Sequence, residues 1–231
     1  MAPTEVIVEL FVTPILKALI LVPMTLLPII NPLGAAPVFV ATVGLDRGRA
    51  KRLARQIAIN SWFVLVTCML IGTYVLALFG ISLPVVRLGG GLLLATTGWR
   101  MLHTIGDNDV QVAAAEEAST LSHTRLMQHS FFPMTFPLTT GPGAISASIA
   151  LGTQISTATP VLYVAGAIVA ATGSLLVSIV LYFVFRNSTR LLNWLGEIGT
   201  LVMMRLMAFI LLCIGIQIMW TGWAELNGIT P

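Results

Sequence analysis

Charged residues are scarce in this chain of 231 residues. Asp, Glu, Lys and Arg make up 9% of the sequence, hydrophobic residues make up 57%, and the mean hydropathy is +0.95. Soluble domains usually carry about 25% charged residues. The composition therefore excludes an ordinary soluble domain and indicates an integral membrane protein. The net charge of +3 arises mostly from one loop, so it does not indicate nucleic-acid binding.

Cysteine and histidine are also rare. Cys68 and Cys213 fall within apolar runs, where they act as small core residues and offer no disulfide or metal framework. The three histidines lack the spacing of metal ligands, and the sequence has no phosphate-binding glycine loop. We therefore predict that the protein is not an enzyme and that it holds no metal or other cofactor.

Windows without charged residues predict the membrane spans. A hydrocarbon core about 30 Å thick needs about 20 apolar residues per helix. These windows and the turn residues between them predict an all-α membrane protein with six transmembrane helices, at residues 18–42, 57–79, 83–103, 130–151, 160–185 and 198–223.

Basic residues predict the orientation of these spans. Residues 45–56, after the first span, hold five basic residues and one acid. Short loops rich in Lys and Arg tend to stay in the cytoplasm. With six spans, both termini then lie on the outer side, and residues 106–128 form a cytoplasmic linker.

Two proline-rich motifs interrupt the apolar sequence. One reads P-I-I-N-P-L-G-A-A-P from Pro28, and the other reads P-M-T-F-P-L-T-T-G-P from Pro133. Four residues of the two motifs align at one constant offset. In the first motif they are Pro28, Pro32, Leu33 and Pro37, and in the second they are Pro133, Pro137, Leu138 and Pro142. The sequence therefore predicts two repeats of three spans each, residues 1–105 and 129–231. An odd number of spans inverts the second repeat in the membrane, as in many secondary transporters.

Each motif predicts a broken helix near the middle of the membrane. Asn31 before Pro32 has the form of an N-cap with proline at the first helical position, and Gly141 before Pro142 is similar. Such a break is tolerated where protein covers it or where it lines a wet cavity. Two helix N-termini there can bind a carboxylate or another small polar group. The predicted substrate-binding residues are Asn31, Pro32, Gly34, Thr139, Thr140, Gly141, Pro142 and Gly143.

Simpler interpretations of the same motifs stay open. Proline kinks many membrane helices whose neighbours repair the lost hydrogen bond, and small residues allow helices to approach closely. Arg87 and Arg205 hold matched positions in the two repeats, and we assign them to interface anchoring or gating. Acidic residues and histidines are absent from the predicted midplane. This absence argues against a proton relay through intramembrane carboxylates, whereas sodium coupling through backbone carbonyls stays open. A coupling ion, sodium or proton, is kept as a partner.

The motifs are similar to those of one family. The segments P-I-I-N-P-L-G-A-A-P-V-F and F-P-L-T-T-G-P-G-A-I-S, with six spans and a basic loop after the first, resemble the MarC family of bacterial multi-pass inner-membrane proteins. The resemblance covers nearly the whole chain and includes R-L-G-G-G-L-L-L. One departure is Ala208 with Phe209, where the family often has glycine, and it predicts looser helix packing there. The family is grouped by similarity with small neutral amino acid transporters and LysE-like exporters.

The residues and the resemblance together predict a secondary transporter of small polar metabolites. Neutral amino acids such as alanine or glycine are the first candidate substrates. The expected location is the bacterial inner membrane, with both termini in the periplasm. The expected partners are the substrate and the lipid bilayer, without nucleic acid, and a homo-oligomer is compatible with the sequence. The alternatives are a non-transporting scaffold or regulatory component, a channel-like pathway, or an exporter of other small solutes or drugs.

Overall fold

The computed structural model of the protein describes residues 13–44, 46–104, 135, 139–155 and 159–229. Within these ranges the chain forms seven helices and no strand. The helices are α1 (Thr13–Ile30), α2 (Pro32–Val43), α3 (Arg47–Leu78), α4 (Leu83–Thr104), α5 (Pro142–Gly152), α6 (Pro160–Arg186) and α7 (Ser188–Leu226). The all-helical class is confirmed. The predicted linker at 106–128 and residues Pro133, Pro137 and Leu138 lie outside the described residues.

Several of these helices have the length and composition of membrane spans. Helices α3, α6 and α7 each qualify, and α1 with α2 qualifies as one span bent by 52°. Helix α4 has 22 residues but contains Arg87 and Arg100, and it is not among these candidates. Helix α5 is a short apolar helix of 11 residues. The described residues therefore contain three candidate spans, or four with the bent pair.

Helix α3 begins earlier than the sequence predicted, at Arg47 instead of residue 57. Asp46 is the reason, because its carboxylate accepts hydrogen bonds from the backbone N–H groups of Gly48 at 2.8 Å and Arg49 at 3.2 Å. These bonds, first that of Arg49 and then that of Gly48, lower the pKa of Asp46. Ala50 and Leu53 are buried while the neighbouring basic residues are exposed. The prediction of a loop over 45–56 was therefore wrong for most of that segment, which forms an amphipathic helical extension.

Helix α7 contains a kink that explains a second boundary difference. Gly196 has φ 68 and ψ −177, so the helical segment from Ser188 ends there and another begins. Glycine adopts a positive φ without steric cost. The span predicted from residue 198 corresponds to the segment after this kink.

Helices α4 and α7 pack against each other through glycines spaced seven residues apart. These glycines are Gly91 and Gly98 on α4, and Gly215 and Gly222 on α7. A Cβ atom added to Gly98 would lie 2.8 Å from the carbonyl oxygen of Ala208, and one added to Gly222 would lie 2.7 Å from that of Pro84. The two helices are therefore antiparallel and in backbone contact.

Ala208 shows that this contact is tight at the start of the apolar part of α7. Its side chain is fully buried, with 0% exposed area. The prediction of looser packing at this residue was wrong, because Gly98 on the facing helix supplies the missing space. Close approach of this kind is the usual role of small residues between membrane helices.

Candidate functional site

The first break separates α1 from α2 at Asn31. This residue has φ 50 and ψ 59, and it is the only non-glycine residue with a positive φ in the described part of the chain. Asparagine tolerates this left-handed conformation better than most residues. Its N–H still bonds to the carbonyl of Leu27 at 3.0 Å, but Pro32 has no N–H with which to continue the helix. The bend of 52° between α1 and α2 follows.

The Asn31 side chain caps the new helix. Its Oδ1 atom accepts a hydrogen bond from the N–H of Gly34 at 3.0 Å, and the residue is only 8% exposed. The predicted N-cap with proline at the first helical position is thus present. Gly34 makes room for the cap, since a Cβ atom there would collide with Nδ2 of Asn31 and would lie 2.9 Å from its Cγ and Oδ1.

The side-chain nitrogen of Asn31 is the atom that matters for binding. The amide Nδ2 of Asn31 has no hydrogen-bond partner among the described residues. An amide nitrogen has two N–H groups to donate. The first break therefore offers an available donor beside a helix N-terminus, and both favour an anionic group.

The second break has a different backbone geometry. The N–H of Thr140 bonds to the carbonyl of Thr135 at 2.6 Å, which is a turn one residue wider than that of an α-helix. Gly141 then extends the chain with φ −78 and ψ 179, and Pro142 begins α5. The predicted helix start at Gly141 and Pro142 is therefore present, although Gly141 has no side chain with which to cap it.

Contacts with two long helices show where the second break lies along them. The hydroxyl of Thr140 donates to Oγ of Ser61 at 3.0 Å, and Ser61 lies at the middle of α3. A Cβ atom on Gly143 would lie 2.8 Å from Cδ1 of Leu94, which lies at the middle of α4. The second break therefore lies beside the middle of both α3 and α4.

A chain of hydrogen bonds connects polar residues of α3 with the second break, and no role was predicted for these residues from the sequence. Gln56 Nε2 donates to Asn60 Oδ1 at 3.2 Å, and Asn60 Nδ2 donates to Thr135 Oγ1 at 3.5 Å. Ser61 is fully buried beside them. The signal that was available is the spacing of Gln56 and Asn60, four residues apart on one helix face.

The structure brings the predicted binding residues together in two groups. Asn31, Pro32 and Gly34 form the first, and the second contains the buried Thr139 and the residues from Thr140 to Gly143. Helix α1, before the first break, contacts helix α5, after the second. Gly143 serves close packing against Leu94, which agrees with the simpler interpretation of that glycine.

The two arginines differ in their surroundings. Arg87 on α4 forms an ion pair with Glu225 near the end of α7, and these side chains are 19% and 34% exposed. Arg205 is exposed and forms no ion pair with the residues that the structure describes. Their roles in anchoring or gating stay predictions, and only Arg87 has the position of a link between two helices.

Neither break carries a charged side chain. The residues at the breaks are Asn, Thr, Gly and Pro. Among the described residues, no group of three or more His, Cys, Asp or Glu side chains is placed to hold a metal ion. A cavity of 460 Å³ opens elsewhere, and it is lined by Met69, Leu70, Thr73 and Tyr74 of α3 and by Gly152, Thr153, Ile155 and Tyr163. The breaks can therefore act through hydrogen bonds and helix N-termini.

Comparisons with known proteins give one consistent result. The model of a family described as "MarC family integral membrane protein" matches residues 16–227. Inner membrane proteins named MarC from Salmonella paratyphi B and Citrobacter koseri are 28% identical over 222 residues, and one from Escherichia coli O139:H28 is 28% identical over 215. Each alignment covers 91% of this chain and 96% of the relative. No solved structure gives a significant match.

Proposed function

The chain belongs to the MarC family of integral membrane proteins, and we propose that it is a secondary transporter of small neutral amino acids. The observation that carries this proposal is the geometry of Asn31. Its side-chain Oδ1 caps α2, while its Nδ2 atom stays available beside the N-terminus of that helix. Broken helices whose N-termini meet an anionic substrate group are a recurrent feature of secondary transporters.

The charge of the two breaks supports a neutral substrate. A zwitterionic amino acid presents a carboxylate to the donors at Asn31 and has no net charge. A net cation, or a second negative charge beside the carboxylate, would meet no opposite side-chain charge at either break, because those residues are uncharged. Leaving such a charge unpaired in a low-dielectric site is costly.

The proposed architecture is that of six spans in two inverted repeats, residues 1–105 and 129–231. The packing of two helix pairs supports it. Helix α4 with its counterpart α7, and α3 with its counterpart α6, form the two most extensive contacts, whereas α1 contacts α6 more than it contacts α5. Transport would then consist of rocking or gating of one repeat against the other.

The proposed location is a bacterial inner membrane, as the names of the relatives indicate for those proteins. Both termini are proposed to lie in the periplasm, because the basic start of α3 favours the cytoplasm. In a variant with both native cysteines, Cys68 and Cys213, replaced by alanine, one cysteine added at the C-terminus should then react with an impermeant maleimide in intact cells with a permeabilised outer membrane. Labelling only after lysis would contradict this. The proposed partners are the substrate, a coupling ion that is sodium or proton, and lipid. No catalytic role is proposed.

The test is uptake of radiolabelled alanine and glycine by the purified protein in liposomes. We expect saturable uptake and exchange of internal for external substrate, which distinguishes a carrier from a channel. Two variants test Asn31. Asn31→Gly keeps the left-handed backbone and removes the amide, whereas Asn31→Asp keeps an acceptor for the Gly34 N–H, removes the donor and repels a carboxylate.

Both variants should lose at least about nine-tenths of uptake, because a hydrogen bond to a charged group contributes about 1.5–3 kcal/mol. Asn187→Gly is the matched control, since Asn187 is an exposed asparagine at the start of α7. Wild-type liposomes without saturable uptake of any neutral amino acid would contradict the proposal and favour a scaffold. Saturable uptake of a different solute would instead indicate that the protein is an exporter of that class of solute. Normal uptake by Asn31→Asp would refute the site.

A further inference from the structure

Ser178, on α6, has a hydroxyl group without a partner. The residue is 4% exposed, and its Oγ is the one buried side-chain polar atom in the described ranges that makes no hydrogen bond. Leaving a buried hydroxyl unpaired is unfavourable, and native structures contain few such groups. An atom of this kind calls for an explanation.

Other hydroxyl groups of the membrane helices have found partners. Thr172 donates to the carbonyl of Ile168 at 2.7 Å, and Ser148 donates to that of Ala144 at 2.7 Å. Bonding to the preceding turn is the usual solution for Ser and Thr within helices. Ser178 has the same option and does not use it.

The contacts of α6 with the first broken span define their relative direction. Gly173 packs against Val22 of α1, where a Cβ atom would lie 2.8 Å from Cβ of Val22. Further along both elements, Phe185 stacks on Phe39 of α2 with ring centroids 4.9 Å apart. The residue numbers rise together, so α6 runs parallel to the broken span.

The stacked phenylalanines also set the register of Ser178. Ser178 lies seven residues before Phe185, and Pro32 lies seven residues before Phe39. Seven residues make about two helical turns and about 10.5 Å of rise, so each residue returns to nearly the same face. Counted from Phe185, Ser178 lies level with Pro32, and counted from Gly173 it lies level with Leu27. Ser178 therefore lies beside the stretch that contains the first break, on the face of α6 that carries Phe185.

We propose that the Ser178 hydroxyl donates a hydrogen bond to the carboxylate of the bound amino acid, which it shares with Nδ2 of Asn31. This assignment rests on the proposed function. It accounts for the missing partner, because the acceptor is the ligand. It also adds a hydroxyl donor to the amide of Asn31, and hydrogen bonds to an ionised carboxylate are stronger than those between neutral groups.

The test compares Ser178→Ala with Ser174→Ala. Ser174 is fully buried one turn earlier on the same helix, and its hydroxyl already contacts Met69 Sδ at 3.8 Å. Binding of radiolabelled alanine to the purified proteins gives the affinity, and thermal unfolding without alanine gives the stability. We expect Ser178→Ala to bind alanine at least about tenfold more weakly, with an unfolding temperature no lower than that of the wild type. Ser174→Ala should keep wild-type affinity.

The outcomes separate this inference from the proposed function. Wild-type affinity in Ser178→Ala would overturn the inference and leave the transporter proposal standing. A lower unfolding temperature of this variant without alanine would show that the hydroxyl has a partner within the protein, which also overturns it. Equal loss of affinity in Ser174→Ala would do the same. A wild-type protein that binds neither alanine nor glycine would overturn both proposals.

Discussion

A single methyl group on Gly34 should disable the first break. In Gly34→Ala the new Cβ atom would collide with Nδ2 of Asn31 and would lie 2.9 Å from its Cγ and Oδ1. This separation is well below ordinary contact distances, so the Asn31 side chain must move away. The hydrogen bond from the Gly34 N–H to Oδ1, 3.0 Å long in the native protein, is then lost.

The expected energy combines two opposing effects. Alanine is favoured over glycine within a helix by about 0.8–1.0 kcal/mol. Leaving the buried Gly34 N–H without its acceptor costs about 1–3 kcal/mol. Gly34→Ala should therefore lower the free energy of unfolding by about 0–2 kcal/mol and abolish alanine uptake, because Nδ2 leaves its position together with Oδ1.

Gly89→Ala is the matched control. Gly89 also lies within a helix, and a Cβ atom there would meet no atom within 4 Å. It should keep normal uptake and gain about 0.8–1.0 kcal/mol. Thermal unfolding in detergent and alanine uptake in liposomes measure the two effects. If Gly34→Ala matched Gly89→Ala in both stability and uptake, the capping geometry would have no functional role.

Three further predictions concern packing, charge and pH. Gly98→Val should reduce stability by about 1–3 kcal/mol in detergent melts, because its methyl groups meet the backbone of α7, including the Ala208 carbonyl at 2.8 Å from the Cβ position. A double-mutant cycle on Arg87→Ala and Glu225→Ala should give a coupling of about 1 kcal/mol, since the pair is partly exposed; zero coupling would remove its proposed linking role. The pKa of Asp46 in the folded protein lies below its ordinary value of 3.8. Its contribution to the free energy of unfolding is therefore complete above pH 3.8 and is lost as the pH falls through the folded pKa. Asp46→Ala should therefore lose less stability than the wild type between pH 6 and pH 3 in otherwise identical melts.

Part of the fold could be predicted because its causes are local. Leu83, Pro160 and the Asn31–Pro32 step were correctly recognised as helix starts or breaks, since proline and turn residues act on their own backbone. The start of α3 was misjudged because basic residues were taken for a loop. The stronger local signal was Asp46, whose carboxylate caps the helix by accepting two backbone hydrogen bonds.

The candidate site divides in the same way. Asn31 and Gly34 were recognisable from the sequence, and the structure adds that one amide oxygen is engaged while the nitrogen stays available. Gly143 and the hydroxyl of Thr140 are instead engaged by Leu94 and Ser61. No spacing within one motif could reveal those contacts, because their partners come from other helices.

The sequence by itself determined the membrane class, the helical content and the two backbone breaks. Scarcity of charge and the lack of an N–H in proline act wherever the residue stands, whatever packs around it. Only the tertiary structure decided which polar groups pair. Arg87 pairs with Glu225 across 138 residues of chain, and Thr140 bonds to Ser61 across 79. The Ser178 hydroxyl forms no hydrogen bond within the described residues. Such pairings depend on the register between packed helices, and a helix turned by one residue would present a different side chain.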